Sequence, residues 1–507
     1  MSRSALTRAA IAAAVCLAAL PAAATALPGA RVSTKPSAMI QRVDYPGVQR
    51  LHFEYGPIPI TPGQNNIEAN INRNKPTVPG YITRFKPNLV YTDSGKVPRV
   101  DVIHLHHGVW LAKNYPTFAA GEEKSILQLP RGYGYHYDPS DRWIMNYMIH
   151  NLLPKPTSVK LTYDIDFVPD TTAAAKSLTP ARPLWMDVSG LRAYPVFDAL
   201  RGQGKRGKFT FPDQASASQQ DDIGGAHEYV ASADMTLLAT AGHLHPGGLY
   251  TDLKQTRGSR TAELFRSEAK YFEPAGAVSW DVSMTATKPS WKIAVKAGDR
   301  LNVSATYDTR NASWYESMGI MVVFVADGIK SGAKDPFKST IDWHGKLTHG
   351  HLAENDHHGG KPQPSLRDAR TLANGSFTDN VMIQNFLYGV GDFNLPGKRS
   401  RPPLVRAGDS LTFTNLDATT AISARDSAYH TITACKAPCT GTTGIAYPLA
   451  NAKVQFDSGE LGFGPPGFTP AANRNTWQSP KRLKSGTYTY FCRIHPFMRG
   501  SFRVVGK

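Results

Sequence analysis

Apolar and polar residues alternate with a period of two along much of this chain. Lys160-Leu-Thr-Tyr-Asp-Ile-Asp-Phe-Val168 and Leu411-Thr-Phe-Thr-Asn415 place every second side chain on one face, and Pro, Gly or Asp bounds each run. That pattern predicts strands with one buried side. Forty-three glycines and thirty-seven prolines interrupt the remainder, so helices are expected to be few. One phrase recurs, Val295-Lys-Ala-Gly-Asp-Arg-Leu301 and Val405-Arg-Ala-Gly-Asp-Ser-Leu411, each reading as a turn between two strands. Two distant copies do not make a solenoid. The expectation is an all-β chain of antiparallel sandwiches, divided at the Ala-, Thr- and Pro-rich stretch 171–183 and the polar stretch 328–370.

The beginning of the chain reads differently. Arg3 and Arg8 precede an apolar run over 9–20 and then Ala24-Thr25-Ala26. This is the pattern of a signal peptide over 1–26, with an apolar run too short to cross a bilayer. No later segment is long enough either, so an exported protein without a transmembrane segment is expected: periplasmic, cell-surface or extracellular. Cleavage would leave 507 − 26 = 481 residues, enough for about three domains at roughly 150 residues each.

Charge adds little. The formal net charge is +17, and a local basic cluster runs from Arg201 through Lys205 and Arg206 to Lys208. No nucleic-acid motif accompanies it, and export argues against a nucleic-acid partner. Cysteine usage says more. Cys16 leaves with the leader, and an odd set remains: Cys435, Cys439 and Cys492. In an oxidising compartment one thiol then needs another task. Cys435 and Cys439 can close a small disulfide, or can both stay free.

The task for Cys492 is visible in its neighbours. Tyr490-Phe-Cys492-Arg-Ile-His495-Pro-Phe-Met498 offers a thiolate, an imidazole and a thioether at three-residue intervals, and His430 sits in an upstream β-rich run. Two histidines, one cysteine and a weak methionine ligand form the donor set of a blue copper electron-transfer site.

These same residues carry a resemblance. Val405 to Asn415, His430-Thr-Ile-Thr and Cys492-x2-His495-x2-Met498 resemble a cupredoxin of the plastocyanin/azurin superfamily, with a ligand loop most similar to amicyanin. The resemblance covers about a quarter of the chain. It implies a Greek-key sandwich over 371–507 with type 1 copper on His430, Cys492, His495 and Met498, and a redox partner protein or a small-molecule electron donor or acceptor. In laccase-like and nitrite-reductase-like enzymes, histidines beside the cysteine lead electrons to a catalytic copper. Here Phe491 and Arg493 stand there, so that wire is absent.

Other histidine groups lie upstream. His104-Leu-His106-His107 and His243-Leu-His245 sit in strand-like runs, where residues i and i+2 share a face. His104 then pairs with His106, and His243 with His245. Buried histidines are often only hydrogen-bonded core, but two dense groups favour metal. Met318, in Trp314-Tyr-Glu-Ser-Met318-Gly-Ile-Met321, reads equally as a core filler. In this order the segments resemble the stress-up-regulated nodulin family and copper type II monooxygenases, over roughly 85–327. That resemblance implies paired jelly-roll-like sandwiches over 40–170 and 184–327. It also implies one copper on His243, His245 and Met318, and another on His106, His107 and a third histidine, with His150 or His136 as the match. Adjacent His106 and His107 share an ion only across a bulged or twisted strand.

His344, His349, His351, His357 and His358 populate the 328–370 stretch, either as a solvated linker or as a metal-capturing segment. Two functional classes follow. One is a copper oxidoreductase, monooxygenase-like, whose C-terminal copper feeds N-terminal copper. The other is a non-enzymatic electron carrier or copper-handling protein.

Overall fold

The computed structural model describes residues 39–63, 67–100, 102–153, 155–190, 195–217, 219, 227–272, 277, 280–310, 312–352, 368–418, 428–435, 454–463, 474–495 and 497–506. The leader over 1–26, His357, His358 and Cys439 lie outside these, as does the side chain of Cys435, and with it the Cys435–Cys439 pairing. As the period-two pattern predicts, the described chain is built from strands joined by turns and short 3₁₀ segments. Among the described residues no helix is long and apolar enough to cross a membrane.

Three apolar cores organise the strands. The first lies between a four-stranded sheet (Ile67–Ile71, Trp143–Asn151, Ile103–Ala112, Tyr115–Ala120) and part of a ten-stranded one. Phe85, Leu161 and Phe167 of the larger sheet meet Trp110, Trp143 and Met145 of the smaller, all essentially fully buried. Bulky rings on alternate positions of both faces exclude water at roughly 25 cal/mol per Å² of apolar surface, which is what holds the layers together.

The ten-stranded sheet continues into the second core. Tyr133–Tyr137 pairs in parallel with Thr179–Asp187, which pairs in turn with Gly319–Asp327. Leu184, Met186, Met321 and Val323 from this extension pack on Phe209, Leu253, Phe265 and Val303 of a seven-stranded sheet. One sheet thereby serves two cores, and the residues 171–183 run through the 3₁₀ turn Ala175–Ser177 directly into its bridging strand.

The third core, with Val381, Phe413, Tyr490 and Phe502, fills the space between a four-stranded sheet and a five-stranded sheet at the C-terminal end. Strand Thr412–Asn415 runs parallel to Asn380–Gln384, and Leu404–Arg406 parallel to Arg499–Val505. The repeated Ala-Gly-Asp phrase has one structural meaning in both copies. It joins Ile293–Val295 to Arg300–Asp308, and Leu404–Arg406 to Thr412–Asn415, each time crossing from one sheet of a sandwich to the other. The glycine supplies the left-handed step this arch needs, at φ 85° for Gly298 and 94° for Gly408.

Candidate metal centre

The C-terminal sandwich positions its donors at one end. Cys492 directly follows strand Gly486–Phe491, and strand Arg499–Val505 starts just after Met498. The loop between them is closed by its own backbone: Cys492 N donates to Met498 O at 3.1 Å, and Met498 N to His495 O at 2.8 Å. His430 arrives from the other side, held by reciprocal backbone bonds with Leu461. All four side chains are fully buried.

His430 and His495 both turn Nδ1 toward Cys492 Sγ, at 3.9 and 3.8 Å, and the two Nδ1 atoms are 3.1 Å apart. Metal–sulfur and metal–nitrogen bonds of about 2.3 and 2.0 Å at trigonal angles place nitrogen about 3.7 Å from sulfur and about 3.5 Å from nitrogen, so the triangle is within a few tenths of an ångström of the size one ion needs. Among the described residues it is the one set of three or more His, Cys, Asp or Glu side chains whose donor atoms all lie within 4.8 Å of one another. Burial works to raise the Cys492 thiol pKa, but hydrogen bonding and charge from His430, with the N–H groups of Thr431 and His495, hold it below its usual value. Those N–H groups point at sulfur from 3.4 and 3.3 Å.

The surroundings orient both rings. His430 Nε2 meets Asp417 at 2.9 Å; burial works to lower the His430 pKa, but Asp417 and Cys492 together push it up to about 8. Asp417 also accepts the N–H groups of Asn385 and Phe386, at 2.7 and 2.9 Å. Those two residues form a two-residue hairpin turn with φ of 54° and 58°, the left-handed geometry of a type I′ turn. A phenylalanine there costs about 1–2 kcal/mol. The strain sets the Phe386 ring edge-on to both ligands, 5.5 Å from His430 and 4.9 Å from His495.

The ligand end of this sandwich faces the first N-terminal core. His495 Nε2 lies 2.9 Å from Gly63 O, and the His150 ring stands perpendicular to His495 at 5.7 Å. Arg493, next to the thiolate, pairs with Asp457 at 2.9 Å, donates to Ser313 O, and lies over the rings of Tyr315 and Trp314.

Beneath that contact lies a cavity of about 40 Å³ lined by His104, His106, His150 and His245, with Trp280 and Glu460. His104 and His150 are cross-strand partners, their rings 4.9 Å apart; His106 and His245 stand 4.3 Å apart. Trp280 stacks on His104 at 4.4 Å. Burial pushes the His106, His150 and His245 pKa values well below the usual range, so the rings are neutral.

The strand is irregular at His106, yet its neighbour His107 still faces away from it. The register of Ile103–Ala112 against Trp143–Asn151 slips between Leu105 and His107. His107 bonds Asn146 Oδ1 at 2.9 Å and lines a different, mainly apolar cavity of about 70 Å³ with Phe85, Phe118, Trp185 and Phe324. His243 lines that same cavity and pairs with Glu123 at 3.0 Å. The chain therefore gathers His104, His106, His150 and His245 on one side, and His107 with His243 on the other. Rings of His106 and His107 stand 5.7 Å apart, and those of His243 and His245 5.2 Å. Met318 packs in an apolar cluster with Met148, Val196 and Ile320, its backbone bonded to the Tyr307 hydroxyl. His136 is half-exposed and paired with Asp170 at 3.0 Å.

Of the 328–370 histidines, His349 packs on Ser283 and Glu123, His351 meets Asp281 at 3.2 Å, and His344 stacks on Trp343. Gly63, Phe386, Asp417 and Glu460 have no mark in the sequence pattern; their roles depend on contacts across the fold.

The sequence matches no protein-family model and no curated protein. Among solved structures, the chain is similar to a purple cupredoxin from Nitrosopumilus maritimus, at 18% identity and TM-score 0.15 over 25% of this chain and all of that one. It is similar to a Cu(I) form of an amicyanin mutant at 22% identity and TM-score 0.14, over 28% of this chain and 95% of that one. A recombinant peptide:N-glycanase F shares 8% identity at TM-score 0.28, over 55% of this chain and 96% of that one. Each is a likeness to part of the chain at a low TM-score, and none places it in a family.

Proposed function

We propose that this chain is an exported copper protein whose C-terminal sandwich holds type 1 copper on His430, Cys492, His495 and Met498 and exchanges single electrons with its N-terminal module. The observation that carries the reading is the convergence of Cys492 Sγ and two Nδ1 atoms in a fully buried triangle. Copper bound there supplies a one-electron couple of low reorganisation. The residues do the rest. Asp417 fixes the His430 tautomer and ring plane, as outer-shell carboxylates do for ligating imidazoles. Phe386 shields both imidazoles from water, and the loop N–H groups stabilise charge on sulfur.

The direction of exchange follows from burial. His495 is fully buried and its outer nitrogen meets Gly63 rather than solvent. An external partner therefore has no access along that edge, which favours exchange within the chain over a free-standing carrier. In that setting the protein is a copper-dependent oxidoreductase, and its external donor or acceptor, protein or small molecule, engages another surface.

Reconstitution with Cu(II) tests this. The wild-type chain should develop an intense visible sulfur-to-copper charge-transfer band, and Cys492→Ser should lose it while keeping its far-ultraviolet circular dichroism. Copper uptake by the wild type without such a band would refute the type 1 assignment.

A further inference from the structure

We infer that the cavity between the modules is a second copper site, with His104, His106, His150 and His245 as its nitrogen donors. This deepens the functional reading above and rests on it only for the identity of the metal.

Two observations carry it independently. The first is the arrangement of donors. Two histidine pairs line one small space, with ring centres 4.9 Å apart in one and 4.3 Å in the other. An ion about 2.0–2.1 Å from each ligating nitrogen holds two ring centres roughly 5 Å apart, so each pair is spaced for a shared ion. The second is a set of buried polar atoms left without partners among the described residues: His150 Nε2, His245 Nε2 and Glu460 Oε2. His150 is 8% exposed, His245 4% and Glu460 4%. Leaving such atoms dry and unpaired costs about 1–3 kcal/mol each, and three around one cavity is more than packing alone explains. No three of these donor atoms lie within 4.8 Å of one another, so an ion here would take one imidazole pair, with water filling its other positions, and would satisfy His150 Nε2 or His245 Nε2 as a Lewis-base ligand.

Imidazole-only donors suit copper, zinc, iron or nickel, and the Irving–Williams order favours copper among them. The donors surround a space instead of meeting at a point. About 40 Å³ leaves room for an ion and one or two water-sized ligands, each needing roughly 10–15 Å³. The His150 ring touches both places: it lines this cavity and stands against His495. An ion here is thus one imidazole pair from the type 1 ligands, by a path that does not use the residues flanking Cys492. The donor set also differs from both triads that the sequence resemblance implies, because it takes His104 and leaves out His107, His243 and Met318.

The test uses the full chain, stripped of metal and titrated with Cu(II), with bound copper counted and electron paramagnetic resonance recorded. Wild type should bind two coppers, one type 1 and one with a nitrogen-coordinated, larger-hyperfine signal. Cys492→Ser should keep only the second. His150→Ala and His245→Ala should keep the visible band, which also reports that the chain has folded, while losing the second signal or weakening its affinity at least about tenfold. A single copper with an intact visible band overturns the site and leaves the type 1 reading standing. Two coppers in His245→Ala with loss of one in His243→Ala or His107→Ala also overturns it, in favour of the larger cavity. A wild type with the second signal and no visible band supports this site while refuting the type 1 assignment.

Discussion

In the C-terminal pocket three donors meet within a few ångströms, every ring nitrogen has a partner, and a strained turn and a carboxylate hold the imidazoles in place. In the cavity beneath it, four histidines ring an open space and two of their nitrogens have no partner. Both regions are buried and both sit at strand ends, so neither burial nor residue type separates them. The difference lies in preorganisation. A site that must hold its geometry through a change of oxidation state benefits from donors fixed before the ion arrives, whereas a site that must admit a small ligand benefits from room. On the readings proposed above, the same amino acid would serve both ends, with the neighbours deciding which.

That contrast can be broken in stages. The largest effect is expected at Gly63, whose backbone sits at φ 64° and whose added Cβ would lie 2.2 Å from the Phe386 ring. Gly63→Ala should destabilise the chain by about 3 kcal/mol, the sum of a left-handed alanine and an overpacked ring, read as a lower melting temperature. Next, Asp417→Asn removes the charge that orients His430 and pins the Asn385–Phe386 turn. Type 1 copper affinity should fall about 10–100-fold in a chelator competition, with the cavity signal unchanged.

A smaller effect concerns pH. Burial raises the Asp198 carboxyl to about 6, against the lowering effects of a Glu316 backbone hydrogen bond and the Arg493 charge. Burial likewise raises Asp392 to about 6. A carboxyl whose pKa is higher in the fold than in the unfolded chain favours folding below its unfolded pKa and loses that advantage as pH rises through the folded one. The contribution of these two carboxyls should therefore drop between about pH 4 and pH 6, opposite in sign to that of the buried histidines with lowered pKa values, and Asp198→Asn should gain about 1–2 kcal/mol on the wild type from the lower to the upper end of that window in denaturant titrations. The smallest effect is a control. His136→Ala breaks only a half-exposed pair with Asp170, worth under about 1 kcal/mol, and should leave both copper signals unaltered.

What the sequence displayed and what it hid divide along the range of the contacts. The Cys492-to-Met498 loop is local, so spacing alone put forward Cys492 and His495, the two loop residues whose donor atoms converge with that of His430. The all-β architecture was legible because alternation of burial is a property of each strand by itself. Strand alternation also pairs His104 with His106, and the two do line one cavity. Alternation also puts His107 on the opposite face from its neighbour His106, and the two line different cavities despite the register slip between Leu105 and His107. The apposition of His150 and His495, and the place of Glu460, arise only when separate sandwiches meet. Phe386 was hidden for another reason: a large aromatic residue in a left-handed turn runs against local preference, and long-range packing holds it there.

Arg493 has a consequence of its own. Its backbone N–H is bonded to Thr431, its side chain grips Ser313, Trp314 and Tyr315 across the module boundary, and its neighbour is the thiolate. On the copper reading proposed above, any free energy that couples metal capture to module docking would act on both by the same factor. Loading the ion should tighten the joint, and prising the joint apart should loosen the ion to an equal degree. On that reading the joint itself would serve as a gauge of metal loading.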